Sequence, residues 1–151
     1  MITNVKMIKK IEYYLKIANQ VAEAWTCNRA KVWAVIVVKD CIASTWYNWA
    51  ARWLDSCNDV WCNIVNWHCT RTLHAEENAI IQAARLGISI YWATMYCTTK
   101  PCQSCIQRLI NAWISEIIYL NDYKWDYIYR NKDYKNLKIK QYFNWELIET
   151  L

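Results

Sequence analysis

Glycine and proline are almost missing from this 151-residue chain, which has one of each against eleven tryptophans. Average usage is roughly 7% glycine and 5% proline. Their scarcity excludes a Pro/Gly/Ser-rich linker. With no internal repeat or low-complexity tract either, the length fits one domain over residues 1–151. It also poses a question of local geometry, because a domain with many turns normally places glycine at positive φ. Long uncharged apolar runs are absent as well, which argues against a membrane-spanning helix. Lys6, Lys9, Lys10 and Glu12 interrupt the start of the chain, so no signal peptide is expected there. The expectation is a cytoplasmic protein with no membrane partner. In that compartment the eight cysteines would be thiols or metal ligands rather than disulfides. Lys plus Arg 18 against Asp plus Glu 13 gives a net charge of +5, which suits an anionic ligand. The charges are scattered, however. The densest basic stretch, NKDYKNLKIK at 131–140, reads as a solvated face or as a contact for phosphate or a neighbouring subunit.

What is present is a set of metal-binding side chains with a free carboxylate beside them. His74-Ala75-Glu76 is followed by Pro101-Cys102-Gln103-Ser104-Cys105. One imidazole and two thiolates bind Zn²⁺ tetrahedrally and leave the fourth position open for water. Glu76, two residues after His74, is near the metal without being needed as a ligand. It can take a proton from water and return it to a substrate. H-x-E followed by P-C-x-x-C is the signature of zinc deaminases that act on nucleobases. A lone C-x-x-C would more often be a redox pair or half of a structural zinc site, and a closed zinc knob would recruit a fourth Cys or His.

The hydrophobic periods place these motifs. Ile8, Ile11, Leu15, Ala18 and Val21 recur at helical spacing, predicting an amphipathic helix over roughly the first 20 residues. VWAVIVV at Val32–Val38 reads as a buried strand, Lys39-Asp40 as a turn and Cys41–Tyr47 as a second strand. The segment 48–72 has no period and carries three cysteines and a histidine, so a loop organised by something other than a core is expected. A helix over 74–86 stops at Gly87, and a strand follows at Tyr91–Thr99. A helix over 102–113, with Pro101 in its first turn, leads to a strand at Glu116–Leu120. A further strand and helix are expected from Asn136 onward. All three ligands then lie near helix N-termini, where N–H groups and the helix dipole favour thiolates.

Between Cys27 and Tyr123 the chain resembles the deoxycytidylate (dCMP) deaminases of the bacterial and phage type. The resemblance rests on Cys27-Asn28-Arg29, the strand Ala34-Val35-Ile36-Val37, Ser44-Thr45-Trp46-Tyr47-Asn48, and the run from His68 to Ile80. It also includes Ala93-Thr94-Met95-Tyr96 and Pro101–Cys105. It implies an α/β fold, a three-layer cytidine-deaminase-like sandwich with a mixed sheet of about five strands and helices on both faces. It implies hydrolysis of dCMP to dUMP and ammonia, feeding thymidylate synthesis. His74, Cys102 and Cys105 would hold the catalytic zinc while an activated water attacks C4 of cytosine. Glu76 would protonate N3 and then the departing amine. Asn48 matches the family asparagine that contacts the deoxyribose hydroxyl, and Tyr123 an aromatic over the pyrimidine. Read without the resemblance, Asn48 is also an ordinary turn residue and Tyr123 ordinary packing.

By the same resemblance the assembly is a homo-hexamer, activated by dCTP with Mg²⁺ and inhibited by dTTP. Arg85 matches a position tied to that regulation, although an arginine near a helix end is also a common solvated charge. Arg52 is a candidate phosphate contact, since guanidinium pairs well with phosphate oxygens. Cys27 and Cys57 match positions that hold a second, structural zinc in some members. Cys62, His68 and Cys69 could supply the other ligands, four of the five closing a tetrahedral site. Unliganded buried thiols are the bland alternative.

The chain departs from the family where family glycines are replaced by Trp33, Trp46, Trp49, Trp53, Trp61, Trp92 and Trp113. Ala51 and Asp55 replace common prolines. A Cβ forced into left-handed backbone costs on the order of 1–2 kcal/mol. Trp46 and Trp49 flank Asn48, so the expectation is an intact zinc site with weakened substrate binding. Among alternatives, free-cytidine deaminases usually carry Cys where His74 stands. The tRNA and single-stranded DNA deaminases lack the Cys-rich 48–72 insertion and favour a stronger basic surface, so a nucleic-acid partner is not expected. A catalytically weakened or dead zinc-binding nucleotide sensor is the alternative from another class.

Overall fold

The computed structural model describes residues 5–21, 27, 30–66, 68–122, 134 and 136–150. In chain order these form α1 (Val5–Val21), β1 (Trp33–Val38), β2 (Cys41–Tyr47), β3 (Trp49–Ala50), β4 (Ile64–Val65), β5 (His68–Cys69) and β6 (Thr72–Leu73). They continue with α2 (Ala75–Arg85), β7 (Thr94–Thr99), α3 (Gln103–Asn111), β8 (Glu116–Asn121), β9 (Lys138–Phe143) and β10 (Glu146–Glu149).

The main sheet has six strands in the order β10-β9-β8-β7-β1-β2, one more than the sequence suggested. It is mixed. β7, β8 and β9 run parallel to one another, while β1, β2 and β10 pair antiparallel with their neighbours. β7-α3-β8 is a parallel crossover unit, in which a helix carries the chain back across the sheet.

Strand alternation sorts β1 between two cores. Trp33, Val35 and Val37 face α1 and pack with Ile11, Tyr14, Leu15 and Ala18. Ala34 and Ile36 face the other way and pack with Ala75 and Ala79 of α2 and with Ile106 and Leu109 of α3. Helices therefore cover both faces and make three layers, as expected. Each large aliphatic side chain buried this way contributes about 1.5–3 kcal/mol. Ala75, Ala79 and Ala83 are all buried, so small side chains let α2 approach the sheet closely.

Two expectations fail. The C-terminal segment is a strand pair, not a strand and a helix, because Asn144 and Trp145 take φ of 46° and 68° and turn the chain back on itself. The basic stretch runs into β9, with Leu137 just before the strand and Ile139 within it buried, and Lys140 pairing with Glu116 at 2.7 Å. The 48–72 segment is less irregular than expected, holding two-residue strands paired β3 with β6 and β4 with β5. No helix among the described residues is long and apolar enough to cross a membrane.

Candidate active site

The end of β6 delivers the chain to His74, which has extended backbone (φ −69°, ψ 154°) and is the N-cap of α2. Cys102 takes the same conformation (φ −69°, ψ 163°) as the N-cap of α3, which puts Cys105 in that helix's first turn. The His74 imidazole makes no capping bond to its own helix and the Cys102 thiol turns toward Cys105, so both side chains gather at one point. The two helix starts converge: His74 Nδ1 lies 3.6 Å from Cys102 Sγ and 3.4 Å from Cys105 Sγ. Zn–S and Zn–N bonds of about 2.3 and 2.0 Å in a tetrahedron set ligand atoms about 3.5 Å apart. The donor spacing therefore fits zinc.

The electrostatics suit a cation. The Cys102 thiol is held down to about 4, first by its hydrogen bond with Cys105 and then by His74, against the effect of burial. His74 is raised to about 9 by its contact with Cys102, also against burial. The Cys102 contact, and then burial, push the Cys105 thiol up. Two adjacent thiolates repel without a counter-charge, and a divalent ion bound here would take the place of the protons that now keep Cys105 neutral and His74 charged.

Glu76 is 3% exposed. Burial raises its carboxyl to about 7, with the nearby His74 charge pulling the other way. Its Oε2 has no hydrogen-bond partner among the described residues. A buried oxygen without a partner is costly unless something else occupies the space it faces. Beside a three-donor cluster, this is where a water and a substrate would sit. Burial pushes the Cys97 thiol of β7 well up, and the Glu76 charge adds to that.

Of the five loop candidates for a second metal, the fold assembles four. Cys27, Cys57, Cys62 and Cys69 have sulfurs within 4.8 Å of one another, with Cys27 to Cys62 at 3.9 Å and Cys57 to Cys69 at 3.5 Å. His68 stays outside this cluster. It is exposed, and its ring centroid lies 6.1 Å from that of His74. The β4–β5 hairpin thus offers Cys69 to one cluster and His68 to the neighbourhood of the other. Burial pushes the Cys57 and Cys62 thiols up. At Cys69 burial is outweighed by hydrogen bonds, beginning with the Arg71 backbone, and the thiol falls to about 7.

The remaining candidates are dispersed. Asn48 is buried at the β2–β3 corner. Its Oδ1 accepts from the Val32 backbone N–H at 3.0 Å and its Nδ2 donates to Ala30 O at 2.8 Å. Arg52 is exposed in the turn before Trp53. Arg85 is exposed in the last turn of α2, donating to Gln82 Oε1 at 3.0 Å. It lies nine residues beyond Glu76 on the same helix, about 14 Å along the axis. Tyr123 lies outside the described residues. Asn78 received no role from the sequence, yet it is buried and its Nδ2 donates to Tyr47 O at 3.1 Å. Its spacing of four from His74, on the same helix face, was the available signal.

The sequence profile of the cytidine and deoxycytidylate deaminase zinc-binding region matches residues 8–121. The chain belongs to that family. It is 34% identical over 113 residues to ComE operon protein 2 of Bacillus subtilis, covering 75% of this chain and 60% of that protein. It is 34% identical over 120 residues to the deoxycytidylate deaminase of Saccharomyces cerevisiae, covering 76% of this chain and 38% of that one. The chain thus spans less than two thirds of the length of these relatives. In structure it is similar to the dCMP deaminase of cyanophage S-TIM5, solved with dCMP and dUMP. That match has a TM-score of 0.72 and 24% identity, covering 87% of this chain and 95% of the phage protein. The cytidine-deaminase-like fold of the family member is thereby established.

Proposed function

We propose that this family member hydrolyses dCMP to dUMP and ammonia, feeding thymidylate synthesis. The observation that carries the reading is the buried Glu76 carboxylate, whose Oε2 has no hydrogen-bond partner among the described residues, beside the His74, Cys102 and Cys105 donors. When bound there, Zn²⁺ supplies a Lewis acid that makes water a nucleophile at neutral pH. The chain's own contribution is proton traffic. Glu76 takes a proton from the attacking water, passes it to N3 of cytosine and then serves the leaving amine. A carboxyl raised to about 7 can both accept and give that proton near neutral pH.

Deoxycytidylate as substrate is supported by the name of the yeast relative and by the nucleotides bound to the phage protein of the same fold. In this reading Asn48 meets the deoxyribose, Tyr123 the pyrimidine and Arg52 the phosphate. A homo-hexamer regulated by dCTP with Mg²⁺ and by dTTP, with Arg85 in the effector site, completes it. Cys27, Cys57, Cys62 and Cys69 hold a second zinc in a closed four-thiolate site that organises the 48–72 loop. Localisation in the cytoplasm and a single domain belong to the same proposal.

A second reading, a zinc-binding nucleotide sensor with weak or no turnover, is favoured by the aromatics around Asn48. Trp46 stacks on Tyr47 at 5.5 Å and Trp49 meets the same ring edge-on at 5.2 Å. The experiment is loss of cytosine absorbance with dCMP, with and without dCTP and Mg²⁺, against a Glu76→Ala control. Turnover that needs Glu76 supports the enzyme. Nucleotide binding to the zinc-loaded chain without ammonia release supports the sensor. Salt-dependent affinity for RNA or single-stranded DNA in place of dCMP turnover would overturn both.

A further inference from the structure

A left-handed backbone brings the Cβ of an L-residue against the next carbonyl oxygen, and glycine alone escapes the clash. Among the described residues, positive φ occurs at Lys39, Asp40, Trp53, Asn66, Gly87, Trp92, Trp113, Asn144 and Trp145. Asn and Asp tolerate this region through local hydrogen bonds of their side chains. Tryptophan has no such compensation, yet Trp53, Trp92, Trp113 and Trp145 take φ of 68°, 58°, 60° and 68°. All four are exposed, by 78%, 56%, 59% and 66%, so burial of the indole does not offset the strain.

The motifs around them are glycine motifs. At the end of α2, Gly87 N–H donates to Ala84 O and Ile88 N–H to Ala83 O, a Schellman closure with the chain's one glycine at its left-handed position. At the end of α3, Trp113 N–H donates to Ile110 O and Ile114 N–H to Leu109 O, the same closure with tryptophan at the same position. The φ values are 66° and 60°. Asn144-Trp145 joins β9 to β10 as a two-residue turn with both φ positive, for which Asn-Gly is the strongest sequence preference.

We infer that positions 53, 92, 113 and 145 are glycine positions, and that the tryptophan codons of this chain are decoded as glycine in the cell it comes from. The codon UGA is read as tryptophan under some genetic codes and as glycine under others. One reassignment therefore accounts for eleven tryptophans and a single glycine together. It also removes the indoles at 46 and 49 that crowd Tyr47 beside Asn48.

Two measurements test this. In the protein purified from its own cells, mass spectrometry of the tryptic peptides Leu86–Arg108 and Leu109–Lys124 should give glycine masses at 92 and 113. Tryptophan masses, or UGG codons in the gene, overturn the decoding. In recombinant protein, Trp→Gly should exceed Trp→Ala in Tm at 53, 92, 113 and 145 by about 2–4 °C each. At Trp61, 90% exposed but not among the positive-φ residues, Gly should show no such advantage over Ala. Alanine matching glycine at all four positions overturns the backbone argument.

Discussion

The Asn78 side chain donates to the Tyr47 carbonyl at 3.1 Å, tying the helix that begins at His74 to the strand end that leads into Asn48. The same amide reaches Trp49 O at 3.5 Å. Removing it leaves a half-buried carbonyl short of a donor, which costs about 1 kcal/mol. Asn78→Ala should therefore lower Tm by several degrees. It should raise KM for dCMP more than it lowers kcat, because it loosens the Asn48 corner while Glu76 stays in place. Steady-state kinetics with a melting curve would test this, and a pure kcat loss would count against it.

The buried Glu76 makes the zinc-free chain sensitive to pH. Its folded value of about 7 lies above its ordinary 4.5, so the native state holds the extra proton between those values. The associated stability is complete below the unfolded value and is lost as pH rises through the folded one. The span corresponds to something on the order of 3 kcal/mol. In chelator, Glu76→Gln should leave Tm almost unchanged at pH 4.5 and raise it at pH 8. A variant no more stable than the parent at pH 8 would show that the carboxyl is not strained by burial.

Two separated donor clusters predict two zinc ions per chain by elemental analysis. Cys62→Ser should reduce the count to one, lower Tm and leave the His74 site loaded. His68→Ala should keep both ions, since His68 sits outside the four-cysteine cluster. Loss of an ion on His68→Ala would return that residue to the ligand set.

The indoles of Trp46 and Trp49 meet the Tyr47 ring immediately before and after it reaches Asn48. Trp46→Gly with Trp49→Gly should lower KM for dCMP and raise turnover. Unchanged kinetics in the folded double variant would show that these side chains do not obstruct the substrate.

The sequence by itself determined the candidate donors and the layers that carry them. His74, Glu76, Cys102 and Cys105 sit in short motifs whose chemistry depends on spacing of a few residues. The β1 run and the α1 period are likewise local patterns of burial. Only the tertiary structure decided which four of five loop ligands assemble, because that depends on how the β4–β5 hairpin presents Cys69 and His68 to opposite sides. It also decided that residues 138–149 pair as strands, since a left-handed turn at Asn144-Trp145 outweighs any local helical preference. The hydrogen bonds of Asn78 across to β2 and β3 were equally hidden, because they join residues about 30 positions apart. Contacts that close long loops are set by the global packing that offsets their entropy, and short-range patterns carry no record of them.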